Sequence, residues 1–143
     1  SQCITGESFF SMRCDCRYQL TESLTQIAEK GRGVVFYLQQ EGRGIGLSNK
    51  IRAYNLQDKG FDTVEANHRL GFEDEERDLR IGAQIIKKLG FKKVKLLTNN
   101  PRKIEQVTAM GLEVTKRLDL ITKPNAENAN YLSTKALKSG HIL

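Results

Sequence analysis

Apolar positions along this chain switch between helical spacing and short continuous runs. From Thr21 to Lys30 they fall at Leu24, Ile27 and Ala28, with Thr21 placed to cap and Gly31 to stop, which predicts an amphipathic helix. Val34 to Leu38 follows as an apolar, largely β-branched and aromatic run after Gly31 and Gly33, the pattern of a strand buried on both faces. A second helix is expected to carry Ile51, Ala53, Tyr54 and Leu56 and to end near Gly60. Beyond a polar stretch from Asp62 to Arg80, a third helix runs to Leu89 and stops at Gly90, and Val94 to Leu97 reads as a strand. Asn100 is placed to cap a helix whose first position is Pro101; Gly111 ends it, and Leu112-Glu113-Val114 begins another strand. From Pro124 the chain is polar, with a late helical pattern around Tyr131, Leu132 and Leu137. Helices and strands alternating over short loops predict an α/β fold, a single domain over residues 1–143, with a mixed or largely parallel sheet and helices on both faces.

Composition changes this picture little. With 143 residues and 38% apolar content the chain can bury a core of its own. No apolar run approaches the roughly 18–20 residues of a membrane span, and no basic-then-apolar leader opens the chain, so a cytoplasmic location without a membrane partner is the expectation. Charge is more informative: 23 Lys and Arg against 17 Asp and Glu give +6, which favours a polyanionic partner, either nucleic acid or a nucleotide triphosphate. Aromatic residues, at 7%, are scattered rather than interleaved with the basic ones, which speaks against a stacking surface for single strands.

Three cysteines, Cys3, Cys14 and Cys16, are an odd number and cannot all pair within the chain. Cys14 and Cys16 are too close for an unstrained disulfide, whereas thiolates at this spacing can share one metal ion; buried inert thiols are the other reading. The run Gln40-Glu41-Gly42-Arg43-Gly44-Ile45-Gly46 joins the expected strand to a helix. Such a turn lets backbone N–H groups approach an anion, although its glycine spacing is not the dinucleotide fingerprint, and taken alone the run reads more readily as an ordinary tight turn. The start at Asn100-Pro101, with Arg102 and Lys103 beside it, is likewise either a phosphate site or a well-capped surface helix.

In order and spacing these segments resemble one family, GTP cyclohydrolase II. The resemblance is carried by Cys3, ten intervening residues and Cys14-Asp15-Cys16; by Gln40 to Leu47; by Ile51-Arg52-Ala53-Tyr54; by Asp62 to Asn67; by Leu70-Gly71-Phe72; by Arg77-Asp78; and by Leu97 to Pro101. It covers essentially the whole chain and implies a hydrolase of riboflavin biosynthesis that acts on GTP. That reaction releases C8 of the imidazole ring as formate and the terminal phosphates as pyrophosphate, leaving a diaminopyrimidine ribosylamino phosphate.

The resemblance also implies roles. One zinc ion would be held by Cys3, Cys14 and Cys16 with its fourth position open, and would activate a water for C8. Three thiolates over-neutralise Zn²⁺, so a nearby group has to help, and by resemblance that group is Tyr54; locally it reads as well as a helix aromatic packed on the sheet. Arg77 would attack the α-phosphate, and because an arginine is protonated at ordinary pH it needs a carboxylate to take a proton. The family places Asp two residues earlier; here Glu75 stands there, with Asp74 as a competitor should residues 74–78 be helical. An acidic first turn complementing a helix dipole is the bland reading of Glu73 to Glu76. Substrate contacts carried over are Gln2, Gln19, Glu41, Gly42, Arg43, Thr63, Thr98 and Lys103, with Glu41 suited to the donor edge of guanine and Arg43 and Lys103 to phosphates.

Gln2 stands where the family usually has Glu. Mg²⁺ would accompany the triphosphate, and a homodimer is implied. The family carries a further N-terminal stretch ahead of the zinc motif, whereas this chain opens at Ser1 inside it. An alternative of a different kind is a zinc-holding guanine-nucleotide-binding domain of the same fold with little hydrolysis, suggested by Gln2 and Glu75.

Overall fold

The structure, a computed structural model, describes residues 1–142. Helix α1 (Ile4–Glu7) and α2 (Cys16–Lys30) open the chain, followed by a 3₁₀ turn at Glu41–Gly44 and then α3 (Gly46–Gln57), α4 (Thr63–Arg69) and α5 (Arg80–Lys88). Strand β1 (Lys93–Leu97), α6 (Pro101–Ala109), β2 (Glu113–Leu118) and α7 (Ala129–Ser139) complete it. The strands pair in parallel across the α6 crossover, from Lys93 opposite Glu113 to Leu97 opposite Leu118. This is the βαβ connection that parallel pairing demands, and it makes the fold α/β.

Most expected elements form where the pattern placed them. Asn100 caps α6, its Oδ1 accepting from Arg102 N at 3.0 Å with Pro101 in the first turn. Gly31 closes α2 in the left-handed region, at φ 71°. Helix α2 begins earlier than its apolar spacing suggested, because the Asp15 carbonyl accepts from Gln19 N and starts the spiral at Cys16. Helix α4 lies inside the stretch read only as polar. Its signal was a reciprocal cap: Asp62 Oδ1 accepts from Val64 N and Glu65 N, and Glu65 Oε2 accepts from Asp62 N.

The strand expected over Val34 to Leu38 is not formed. No neighbouring strand meets this run among the described residues, and the Leu38 carbonyl accepts instead from Gln2 N and Gln40 N, both at 2.8 Å. Val34 and Tyr37 are exposed, and the run walls a cavity of about 1330 Å³ that also reaches the two strands and the cysteines. The hydrophobic core proper joins Ala83 of α5, Val107 of α6 and Leu112, with Ile86, Leu96, Met110 and Val114 packed around them. Packing α5 and α6 here fixes the C-terminal ends of the strands, where Thr98, Asn99 and Asn100 are buried at the cavity edge. Among the described residues no helix is long and apolar enough to cross a membrane.

Candidate functional site

Cys3, Cys14 and Cys16 converge because α1 folds back on the start of α2. Their sulfurs all lie within 4.8 Å of one another, and Cys3 Sγ is 3.6 Å from Cys14 Sγ. Thiolates bound tetrahedrally at about 2.3 Å from zinc sit roughly 3.8 Å apart, so the donor set fits that ion. Gly6 keeps the space clear: a Cβ there would stand 2.8 Å from Cys14 Sγ and 3.3 Å from Cys3 Sγ. Hydrogen bonds from Cys14 and Cys16, joined by the Lys50 ammonium, hold the Cys3 thiol far below its ordinary range, while hydrogen bonds with Cys14 and Cys3 and then burial push Cys16 well above it.

Lys50 was not among the residues singled out from sequence. Its Nζ donates to Cys3 Sγ at 3.0 Å and to Glu41 Oε1 at 2.7 Å, inside the protein. Its signal was a lysine in helical register with Ala53, which shares its buried face of α3. Glu41, expected to face guanine, is largely taken up elsewhere. Besides Lys50 it accepts from Ile4 N at 2.6 Å and Gly42 N at 3.0 Å, so about one of a carboxylate's four acceptor directions is left. Glu41 thereby ties the start of the cysteine segment to the glycine turn. In that turn Gly42 and Arg43 both sit at positive φ, 63° and 60°. Gly44 packs so closely on Glu76 that a Cβ would lie 2.8 Å from its carbonyl carbon.

Tyr54 is brought to the cysteines through Thr5, whose Oγ1 lies 3.4 Å from the phenol and 3.7 Å from Cys3 Sγ. Burial holds the phenol above its ordinary pKa, so Tyr54 keeps its proton and is equipped to donate.

Glu75 and Arg77 form a bidentate pair, the carboxylate accepting from Nε and Nη2, and both side chains are only 13% exposed. Residues 74–78 are not helical. Asp74 turns away to Arg102 Nη1 at 3.0 Å, so geometry makes Glu75 the partner of Arg77. Burial pushes the Glu75 carboxyl up, but the Arg77 bonds and charge outweigh it and leave the group below its ordinary value. Arg77 is held correspondingly above its own, so the resting state is an ion pair.

The same cavity receives Gln2, Gln19, Arg43, Thr63 and Lys103. Lys103 projects from the first turn of α6; burial first, then the Arg77 charge, brings it down to about 8. Arg43 has a backbone acceptor in Asp74 O, at 3.3 Å, and no carboxylate partner among the described residues. Thr98 is buried with its hydroxyl accepting from Asn100 N, and Gln19 Nε2 donates to Asp15 Oδ2 at 2.7 Å. Tyr131, Lys135 and His141, also unforeseen, enter from α7 and its exit. Burial, then Lys135 and Arg43, lower His141 to about 4, so it is neutral at pH 7.

Three cysteines that could hold a metal ion, the Arg77 guanidinium of a buried ion pair and further cations line one cavity on an α/β frame, the arrangement of a ligand-binding site. The family model described as GTP cyclohydrolase II matches residues 1–119. GTP cyclohydrolase-2 proteins of Enterobacter sp., Escherichia coli and Shigella boydii are each 57% identical over 143 residues, which is all of this chain and 73% of theirs. The chain belongs to the GTP cyclohydrolase II family, a family of hydrolases.

Proposed function

We propose that this chain hydrolyses GTP, releasing formate and pyrophosphate and leaving a diaminopyrimidine ribosylamino phosphate. One observation carries the reading: the three cysteines, Arg43, Lys103 and Arg77 line one cavity, and Arg77 is paired with the buried Glu75 carboxylate. Cys3, Cys14 and Cys16 would hold a zinc ion, which would supply the Lewis acidity needed to activate water for attack at C8. Tyr54 stands ready as proton donor to the opening imidazole. Lys50 offsets part of the surplus negative charge of three thiolates, a help that the family resemblance had assigned to Tyr54 alone.

At the other end of the substrate, Arg43 and Lys103 receive the phosphates, with Mg²⁺ accompanying the triphosphate. Arg77 attacks the α-phosphate; an N–P bond forms, the bond to the β-phosphate breaks, pyrophosphate leaves, the arginine proton passes to Glu75, and water then cleaves the N–P bond to free the phosphate product and restore Arg77. The resting ion pair opposes that transfer. Gln2, Gln19, Gly42, Thr63 and Thr98 complete the contacts. Residues 1–143 act as one domain, and a cytoplasmic homodimer follows from the family resemblance.

The resting ion pair equally suits Arg77 to hold phosphates without reacting. A nucleotide-binding domain with little hydrolysis is therefore the second reading. Zinc-loaded protein given GTP and Mg²⁺ is expected to release formate and pyrophosphate together. Tight GTP binding without either product leaves the binding domain standing. Glu41 has one free acceptor direction, so it reads at most one guanine N–H, worth about 1–3 kcal/mol against ATP. Equal turnover of ATP and GTP refutes the guanine reading.

A further inference from the structure

The residues matched to the family end at 119, yet α7, which begins at Ala129, reaches into the cysteine loop. Asp15 lies between two of the cysteines, and its side chain is fully buried. Asp15 Oδ1 accepts from Lys135 Nζ at 2.8 Å and Oδ2 from Gln19 Nε2 at 2.7 Å. Lys135 is itself only 5% exposed, with its ammonium 4.5 Å from the Tyr131 ring centroid. The loop carrying Cys14 and Cys16 is thus gripped from inside by one charge delivered 120 positions further along the chain.

The grip is itself braced. Asn128, buried at the start of α7, accepts from Asn125 N at 2.8 Å. Past the helix, His141 N donates to Lys135 O, and Ile142 N donates to Asn99 O at 2.9 Å. On its outer face Lys138 binds Asp62 and Glu65, the two residues of the α4 cap. The helix is therefore tied to α4 and to the 98–100 loop independently of the cysteines, and its position does not depend on the Asp15 bond alone.

We infer that Lys135 is a positioning residue of the metal site: through Asp15 it holds Cys14, Cys16 and the Gln19 carboxamide in the arrangement that retains the ion. A buried carboxylate with no counter-charge would turn toward water and carry the two flanking thiolates with it. The inference rests on the metal reading of the cysteines and adds α7 to it.

The test measures zinc transfer from the loaded full chain to a chromophoric chelator, with thermal unfolding followed in parallel. Lys135→Met is expected to speed release at least tenfold. Asp15→Asn, which keeps an acceptor for Gln19 but removes the charge, is expected to do the same, and the double variant to be no faster than either single one. Lys138→Met loosens the same helix without touching Asp15 and is expected to leave release within twofold of the parent.

If release in the folded Lys135→Met or Asp15→Asn protein stays within twofold of the parent, or if Lys138→Met speeds it as much, α7 only stabilises the fold and the inference is overturned. Should Lys135→Met fail to fold, Asp15→Asn decides alone. A parent that binds no zinc overturns the metal reading and this inference together; a zinc-binding parent with unchanged variants overturns this inference only.

Discussion

Replacing Glu75 by Gln separates the two ends of the proposed reaction. The carboxylate binds Arg77 at Nε and Nη2 and also accepts from its backbone N at 3.2 Å. Gln can keep one acceptor on the guanidinium but neither the charge nor the proton sink. Removing one member of a fully buried pair costs about 3–5 kcal/mol. With both side chains still 13% exposed, solvent compensates part of this, and roughly 2 kcal/mol of stability is the expected loss. The barrier suffers more: loss of a positioned proton acceptor lowers the rate about 10²- to 10⁴-fold, or roughly 3–5 kcal/mol.

Pyrophosphate release at saturating GTP, measured beside zinc content, is the assay. Glu75→Gln and Arg77→Ala are both expected to stop release with zinc content unchanged, since neither residue touches the cysteines. Glu75→Asp withdraws the carboxylate by about 1.5 Å, one C–C bond, and is expected to keep at least a tenth of the rate by a small shift of the non-helical 74–78 backbone. Asp74→Asn should be mild, because Asp74 serves Arg102 at the surface. If Glu75→Gln and Arg77→Ala both release pyrophosphate within threefold of the parent, the pair is structural and Arg77 is not the nucleophile. The sign with pH follows from the depressed Glu75 pKa. The pair's stabilisation is complete above the ordinary glutamate value of about 4.3 and fades as pH falls through the lower folded value.

Cys14→Ser should lower zinc content and abolish formate release; full activity in metal-free protein would sink the zinc chemistry. Lys50→Met leaves Glu41 buried without its counter-charge and should cost about 3–5 kcal/mol in denaturant unfolding, most of it recovered in Lys50→Met with Glu41→Gln; an unchanged midpoint refutes that account. Lys103, lowered to about 8, should give triphosphate binding that weakens as pH rises through 8. The free protein should gain stability between that value and the unfolded lysine value of about 10.4, where the unfolded chain binds more protons. Binding that is flat from pH 7 to 9.5, or a slope that survives in Lys103→Met, removes Lys103 from the phosphate site.

The chain order of chemistry-bearing residues was legible in the sequence, and so were most helices. Helix α6 declared itself through Asn100-Pro101 and Gly111, and the cysteine spacing marked three thiols that could share one metal ion, because caps, stops and short ligand loops are local devices whose physics acts over a few residues. The Val34 to Leu38 run shows the limit: apolar content gives a segment the capacity to be a strand, but strand pairing needs a neighbour, and only the tertiary structure decides whether one is there. Buried charges mark the same limit. Lys50 and Lys135 look like ordinary helix lysines until Glu41, Cys3 and Asp15 are seen to converge on them. Ion pairs between residues 9 and 120 positions apart leave no local pattern, since partners are chosen by packing rather than by spacing. The choice of Glu75 over Asp74 was made in the same way, when an unwound backbone turned one carboxylate inward to Arg77 and the other outward to Arg102.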